Sequence, residues 1–293
     1  MSALCKEKTK FCDFMLKNPF WRHLLTMGII NINDDSFSGD GTLNTETALS
    51  TSQAMISAGA DFIDVGAESA RTNRDAISIS AEIDRLTPFI NRFDSKQARL
   101  SINTWRPEII RAVLEIPNNG IDLINDISGL PTPENAEICA SSDASLLIMH
   151  TVGIPKVPHT EQQWDDVLAA IDSFFTEKIR VAESAGLSRN KIVLDPGIDF
   201  AKQRDDNLVI YRHLERLVQN FAEFPILLPI SRKTVIGDVL GLENPVERDA
   251  GTIACLVRGI RAGASIFRVH DVAACANTIR TLSPITRPQR KFP

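Results

Sequence analysis

The sequence predicts a single (β/α)8 TIM barrel, an α/β fold, with a short extension in front of it. Three observations carry that expectation. Eight short apolar runs recur along the 293-residue chain, and the segments between them have helical periodicity. The runs are too continuously apolar for strands with one wet face, so they read as parallel strands covered on both sides. No GxGxxG follows the first run, as a dinucleotide-binding doubly wound sheet would require, and eight parallel strands close naturally.

The elements follow in order. "LLTMGIINI" (24–32) reads as the first strand, and the polar, glycine-bearing loop 33–41 follows it. Residues 45–60 read as a helix with Thr45 as its cap and a stop at Gly59. "DFIDVGA" (61–67) is the second strand and "RLSINT" (99–104) the third. The helix at 106–116 has Pro107 near its first position, where a missing N–H costs nothing. "LINDIS" (123–128) and "SLLIMH" (145–150) precede a long amphipathic segment at 160–186. "KIVLDPG" (191–197), "PILLPISR" (225–232), a second amphipathic segment at 245–263, and "SIFRVH" (265–270) complete the set. The expected division is an extension at 1–22, the barrel at 23–284 and a basic tail at 285–293.

Composition narrows the function classes. The chain is 43% hydrophobic and 24% charged with a net charge of -5, an ordinary globular balance that disfavours a nucleic-acid partner. Five scattered cysteines without a CxxC pair read as reduced thiols in a cytoplasmic protein. The first twenty residues lack a signal-peptide core, and no stretch reaches the ~20 apolar residues of a membrane span.

Chemistry in such a barrel belongs at the C-terminal strand ends. Those ends carry Asn31, Asp64 to Arg71, Asn103, Asn125-Asp126, His150, Asp195, Ser231-Arg232-Lys233, Arg268 and His270. Polar loops account for any one of these, but a polar group at every strand end points to a funnel for a polar heterocycle and an anion. Asp195 can accept paired bonds from an N–H and an NH2, Asn125 can donate and accept, and Lys233 can donate to a ring carbonyl or imine. Arg268, His270 and Arg71 can hold phosphate oxygens, and Asn31 can help seat a hard cation on them. His150 reads as a core histidine, and His23, His159 and His213 as surface residues. Trp105 reads as packing. Asp64 and Glu68 are expected to hold the second loop, and Asp126 to orient the loop of Asn125.

The motifs "MGIINI..DSFSGDG", "DVGAESAR", "SINTWRPE", "INDISG", "LIMHTVGIP", "LDPGIDFAK", "ISRKTVIG" and "RVHDVA" come in strand order. Together they resemble the dihydropteroate synthase family of pterin-binding barrels from about residue 26 to 280. The resemblance implies a transferase of folate biosynthesis. In it, p-aminobenzoate displaces pyrophosphate from 6-hydroxymethyl-7,8-dihydropterin diphosphate, with Mg2+ as cofactor and a homodimer through the later helices. By position, Asn103, Asn125, Asp195 and Lys233 match pterin contacts. Asn31, Arg71, Arg268 and His270 match the diphosphate side, with Asn31 also on the metal. Phe37, Ala70, Arg71, Thr72 and Thr234 match the p-aminobenzoate side. The implied catalytic set is Lys233, Arg268, His270 and Asn103. The loops 33–41 and 68–76 would form a lid.

Four departures fall in this site. The first loop lacks the family's proline. Ala70, Thr72 and Asn73 replace Thr, Pro and Gly of the second loop. Asn103 stands where the family has an aspartate, and Asp199 and Ala201 replace glycines. Three readings therefore compete: a divergent synthase, a paralogue joining a different amine or catalysing another pterin transfer, and a non-catalytic pterin-binding protein. Corrinoid methyltransferases share the barrel but lack the SRK and RVH groups.

Overall fold

The computed structural model describes residues 24–34, 41–69, 75–157, 159 and 161–286. The predicted extension 1–22 and residues 287–293 of the tail lie outside the described residues. Among those described, eight parallel strands form one sheet. They are β1 (Leu25–Asn31), β2 (Phe62–Gly66), β3 (Arg99–Asn103), β4 (Ile121–Asp126), β5 (Ser145–Met149), β6 (Ile192–Asp195), β7 (Leu227–Pro229) and β8 (Ile266–Val269). Their order is β6-β5-β4-β3-β2-β1-β8-β7, and a parallel bridge from Leu194 to Ile226 brings the two edges together. The expected barrel is thus the observed one.

Alternation inside each strand explains the continuous apolar runs. Met27, Phe62, Leu123, Leu147, Val193, Leu227 and Ile266 fill the barrel interior. Their neighbours, among them Ile63, Leu100, Ile124, Leu146, Leu194 and Phe267, face outward into the larger core under the helices. Both faces are dry, so both registers are apolar. Each such side chain contributes roughly 1.5–3 kcal/mol by leaving water.

The helices are α1 (Thr45–Ala58), α2 (Ile79–Ile90), α3 (Pro107–Glu115), α4 (Glu134–Ala140), α5 (Val167–Ser184), α6 (Arg204–Arg212), α7 (Leu214–Asn220), α8 (Thr234–Leu240), α9 (Asp249–Ala262) and α10 (Val272–Thr286). Three boundaries differ from expectation. Asn44, not Thr45, caps α1, because Asn44 keeps an extended backbone while its side chain accepts from the Thr47 N–H. The segment 160–186 becomes helical only after Asp166, whose carboxylate accepts from the N–H groups of Leu168 and Ala169. The segment 245–263 opens with a 3-10 turn over Pro245–Arg248 before α9 begins. There the buried Arg248 guanidinium donates to the carbonyls of Leu242 and Glu243.

Candidate active site

Strand register lays the first row of the site. Asn31 pairs with Gly66, Gly66 with Asn103, and Asn103 with Asn125 across β1 to β4. Three amides therefore stand level at the C-terminal mouth, above the apolar interior. They open into a cavity of about 530 Å³. Asp195, Lys233, Thr234, Arg268 and His270 line the same cavity. Every predicted site residue that is described is thus brought together. Phe37, Ala70, Arg71 and Thr72 lie outside the described residues, as do the middles of both proposed lid loops.

Asp64 is the residue that sequence reasoning misplaced. It was expected to hold the second loop, yet it is fully buried and points into the barrel. Its carboxylate accepts from Ser101 Oγ at 2.5 Å, Asn125 Nδ2 at 3.1 Å and Arg268 Nε at 2.7 Å. One acid thus orients the amide on β4 and the guanidinium on β8. The available signal was an acid inside an apolar strand run, which must be paired to be tolerated.

The second loop is held by Glu68 instead, as expected for that residue. Its carboxylate accepts from the Ile77 N–H at 2.9 Å and pairs with Arg106, while Lys156 lies 3.4 Å away. Lys156 also donates to the Ser69 carbonyl, tying the loop after β5 to the loop after β2. Asp126 accepts from the Ser128 N–H and from Asn135, fixing the loop beyond Asn125 as expected.

Asp195 sits at the end of β6 and is buried. Burial pushes its carboxyl up to about 6, against the opposing pull of the Gly197 N–H and the charges of Lys233, Lys202 and Arg268. Gly197 is required here. Its φ is +67°, and a Cβ would lie 2.0 Å from the His150 carbonyl oxygen. Its N–H donates to Asp195 Oδ1 at 2.7 Å.

The cations stand close by. Lys233 donates to the Ile198 carbonyl at 2.8 Å and lies 4.9 Å from the Phe200 ring centre. Burial lowers its pKa, opposed by Asp199 and Asp195. Lys202 was not singled out from the sequence. It is buried in the cavity wall and donates to the carbonyls of His150, Gly197 and Phe200, and burial draws its pKa down to about 7. In the SRK motif each residue has its own task. Ser231 Oγ meets His270 Nδ1 at 2.8 Å, Arg232 makes a two-pronged pair with Asp249, and Lys233 enters the cavity.

The bland readings divide. His150 is a core histidine as expected: its ring packs against Trp164 and Phe174, and burial pushes it down to about 2, so it stays neutral. His213 is exposed. His159, expected on the surface, lines the cavity instead and packs against Gly153. Gly153 takes a left-handed φ of +70°, and without a Cβ it leaves room for the His159 ring beside it.

Such a cavity, lined by a carboxylate and amides together with Lys233, Arg268 and His270, suits a hydrogen-bonding heterocycle that carries an anion. Residues 27–270 match the model of the family described as pterin binding enzyme, and the chain belongs to that family. The particular likeness within it is to dihydropteroate synthases. The Escherichia coli (strain K12) dihydropteroate synthase is 36% identical over 263 residues, spanning 89% of this chain and 91% of that protein. The Xanthomonas albilineans dihydropteroate synthase solved with 4-aminobenzoic acid matches with a TM-score of 0.81 at 32% identity, over 92% of this chain and 95% of that one. The same enzyme in complex with 7,8-dihydropteroate matches with a TM-score of 0.77 at 30% identity, again over 92% and 95%.

Proposed function

We propose that this chain is a dihydropteroate synthase-like transferase of folate biosynthesis, joining 6-hydroxymethyl-7,8-dihydropterin diphosphate to p-aminobenzoate with release of pyrophosphate. The observation that carries the reading is the convergence of Asn125, Asp195, Lys233, Arg268 and His270 on one cavity, in a chain whose match to the Escherichia coli synthase spans 91% of that protein.

On this reading the Asp195 carboxylate accepts from the ring N–H and exocyclic NH2 of the pterin. Asn125, oriented by Asp64, donates and accepts beside it, and Lys233 donates to the ring. Arg268 and His270 hold the diphosphate. The amine nitrogen then forms a bond to the exocyclic methylene carbon. The carbon–oxygen bond to diphosphate breaks, its electron pair leaves with pyrophosphate, and the amine gives up a proton. No covalent nucleophile on the protein is needed; clamping the leaving group and excluding water suffice.

The donor set fits Mg2+ carried on the substrate better than a resident metal. No cluster of three or more His, Cys, Asp or Glu side chains suited to a metal occurs among the described residues. Asn31 supplies one amide oxygen at the mouth, and Mg2+ commonly takes one or two protein oxygens beside phosphates and waters. When bound, the ion would neutralise charge on the departing diphosphate.

A paralogue using a different amine is the second reading. It is favoured by Asn103, which keeps the shape of the family's aspartate without its charge, and by Asp199 beside Thr234. The same proposal places the enzyme in the cytoplasm, where the free thiols Cys139, Cys255 and Cys275 would stay reduced. It also makes it a homodimer through the later helices, where Val239, Leu240 and Val246 are exposed. The direct test follows pyrophosphate release from the pterin diphosphate with Mg2+ and p-aminobenzoate. Release with saturation in both substrates is expected, and none over background would refute the reading.

A further inference from the structure

We infer that Asp199 tunes the amine preference of this site, reducing its discrimination in favour of a carboxylate-bearing acceptor over an uncharged arylamine. The inference rests on the synthase reading, which puts Thr234 on the amine side. Asp199 lines the cavity together with Thr234 and Lys233. Its carboxylate accepts from the Thr234 N–H at 2.5 Å and from the Val235 N–H at 3.3 Å. Its own N–H donates to Asn207 Oδ1 at 2.9 Å, and Asn207 Nδ2 returns to Asp199 Oδ1 at 3.3 Å. The acid is therefore anchored in the wall and cannot swing away without losing these bonds. Its backbone has φ +67°, a conformation that glycine adopts freely and Asp or Asn tolerate. A backbone position that suits glycine thus carries a fixed carboxylate.

That charge acts on what surrounds it. Asp199 is the foremost of the charges that favour protonated Lys233, and it acts in the same sense on Lys202. It offsets the positive field those lysines would present to an incoming anion. A carboxylate arriving beside Thr234 also finds two N–H donors already engaged, and an acid of its own sign. An amide in the same place meets no such repulsion. At the effective dielectric near a protein surface, one unit charge changes relative affinity roughly tenfold even from about 12 Å, so tenfold is the lower bound for a nearer one.

The test measures kcat/KM for p-aminobenzoate and for p-aminobenzamide by pyrophosphate release, with the full chain as wild type, Asp199→Asn and Asp199→Gly. Asp199→Asn keeps an oxygen for the Thr234 N–H and tolerates positive φ; it removes the charge and gives up only the two longer bonds from the Val235 N–H and Asn207 Nδ2. The expected result is an acid-to-amide ratio about tenfold higher in both variants, the equivalent of about 1.4 kcal/mol. A ratio that moves in neither variant makes Asp199 merely structural and overturns the inference. A ratio that rises only in Asp199→Gly also overturns it, because freed N–H groups and not charge would then be the determinant. No release from wild type with either amine overturns the synthase reading and this inference with it.

Discussion

Asp195 is useful as an anion but is housed where anions are disfavoured. Its carboxyl titrates near 3.8 in an unfolded chain and about 6 in the fold, because burial outweighs the nearby cations. The group therefore stabilises the fold fully below about pH 4, and that contribution is lost as pH rises through about 6. Function runs the other way. A protonated acid cannot accept a hydrogen bond at each of its two oxygens, because one of them now donates, so pterin affinity is present above about pH 6 and falls roughly tenfold per unit below it. Calorimetric titration of a pterin analogue between pH 5 and 8 reads this directly; a flat profile in the wild type would remove Asp195 from the role, and Asp195→Asn is expected to be flat and weak throughout. Asp64 makes a second expectation. Three donors converge on it, and an amide in its place would turn its NH2 toward at least one of them. Asp64→Asn should lower kcat/KM about 10- to 100-fold, the effect of losing a charge-assisted bond. It should weaken pterin and pyrophosphate binding together, since Asn125 and Arg268 lose the same partner. Loss of only one ligand would show that the two side chains are held independently.

Turns and loops convert the strand ends into a site, and they were read unevenly from the sequence. Asn31, Asn103, Asn125, Asp195 and Arg268 were legible because a barrel strand ends in a known direction, so the residue closing an apolar run must face the mouth. The inward aim of Asp64 was not, since β2 is apolar on both faces and period-2 reasoning has no polar register to lock onto. The clasp around Glu68 was only half legible. Its partners Ile77, Arg106 and Lys156 lie 9, 38 and 88 positions away, and no local pattern announces a contact of that separation. The Asn44 cap was missed by one place because Asn44 and Thr45 are both good capping residues and the backbone decides between them. The turn at Gly197, by contrast, follows from the sequence "DPG" and admits a sharp test. Adding a Cβ 2.0 Å from the His150 carbonyl at φ +67° forces that turn to move. Gly197→Ala should destabilise the fold by about 1–3 kcal/mol and displace the N–H that meets Asp195. Thermal denaturation unchanged from wild type would show that the turn relaxes at no cost.

The barrel divides its labour along its axis. Below, Met27, Phe62, Leu227 and Ile266 pack a dry interior that contributes stability, and none of the four lines the cavity. Above, charged and amide side chains are held in partly desolvated positions that the fold would not choose for stability alone. The division predicts that stability and turnover come apart. Phe62→Ala, at a fully buried position near the start of β2, should cost about 3–5 kcal/mol in urea denaturation while the surviving folded enzyme keeps its KM for the pterin diphosphate. Lys233→Met should do the reverse. Burial lowers the pKa of Lys233, so the folded state holds that ammonium at a disadvantage, and a thioether of similar length removes the disadvantage. Its stability should equal or exceed the wild type, whereas pyrophosphate release should fall about 100-fold or more with the loss of a fixed charge at the reacting ring. If Lys233→Met instead unfolded the barrel while leaving turnover per folded molecule intact, Lys233 would belong to the scaffold, and its bond to the Ile198 carbonyl would be its purpose.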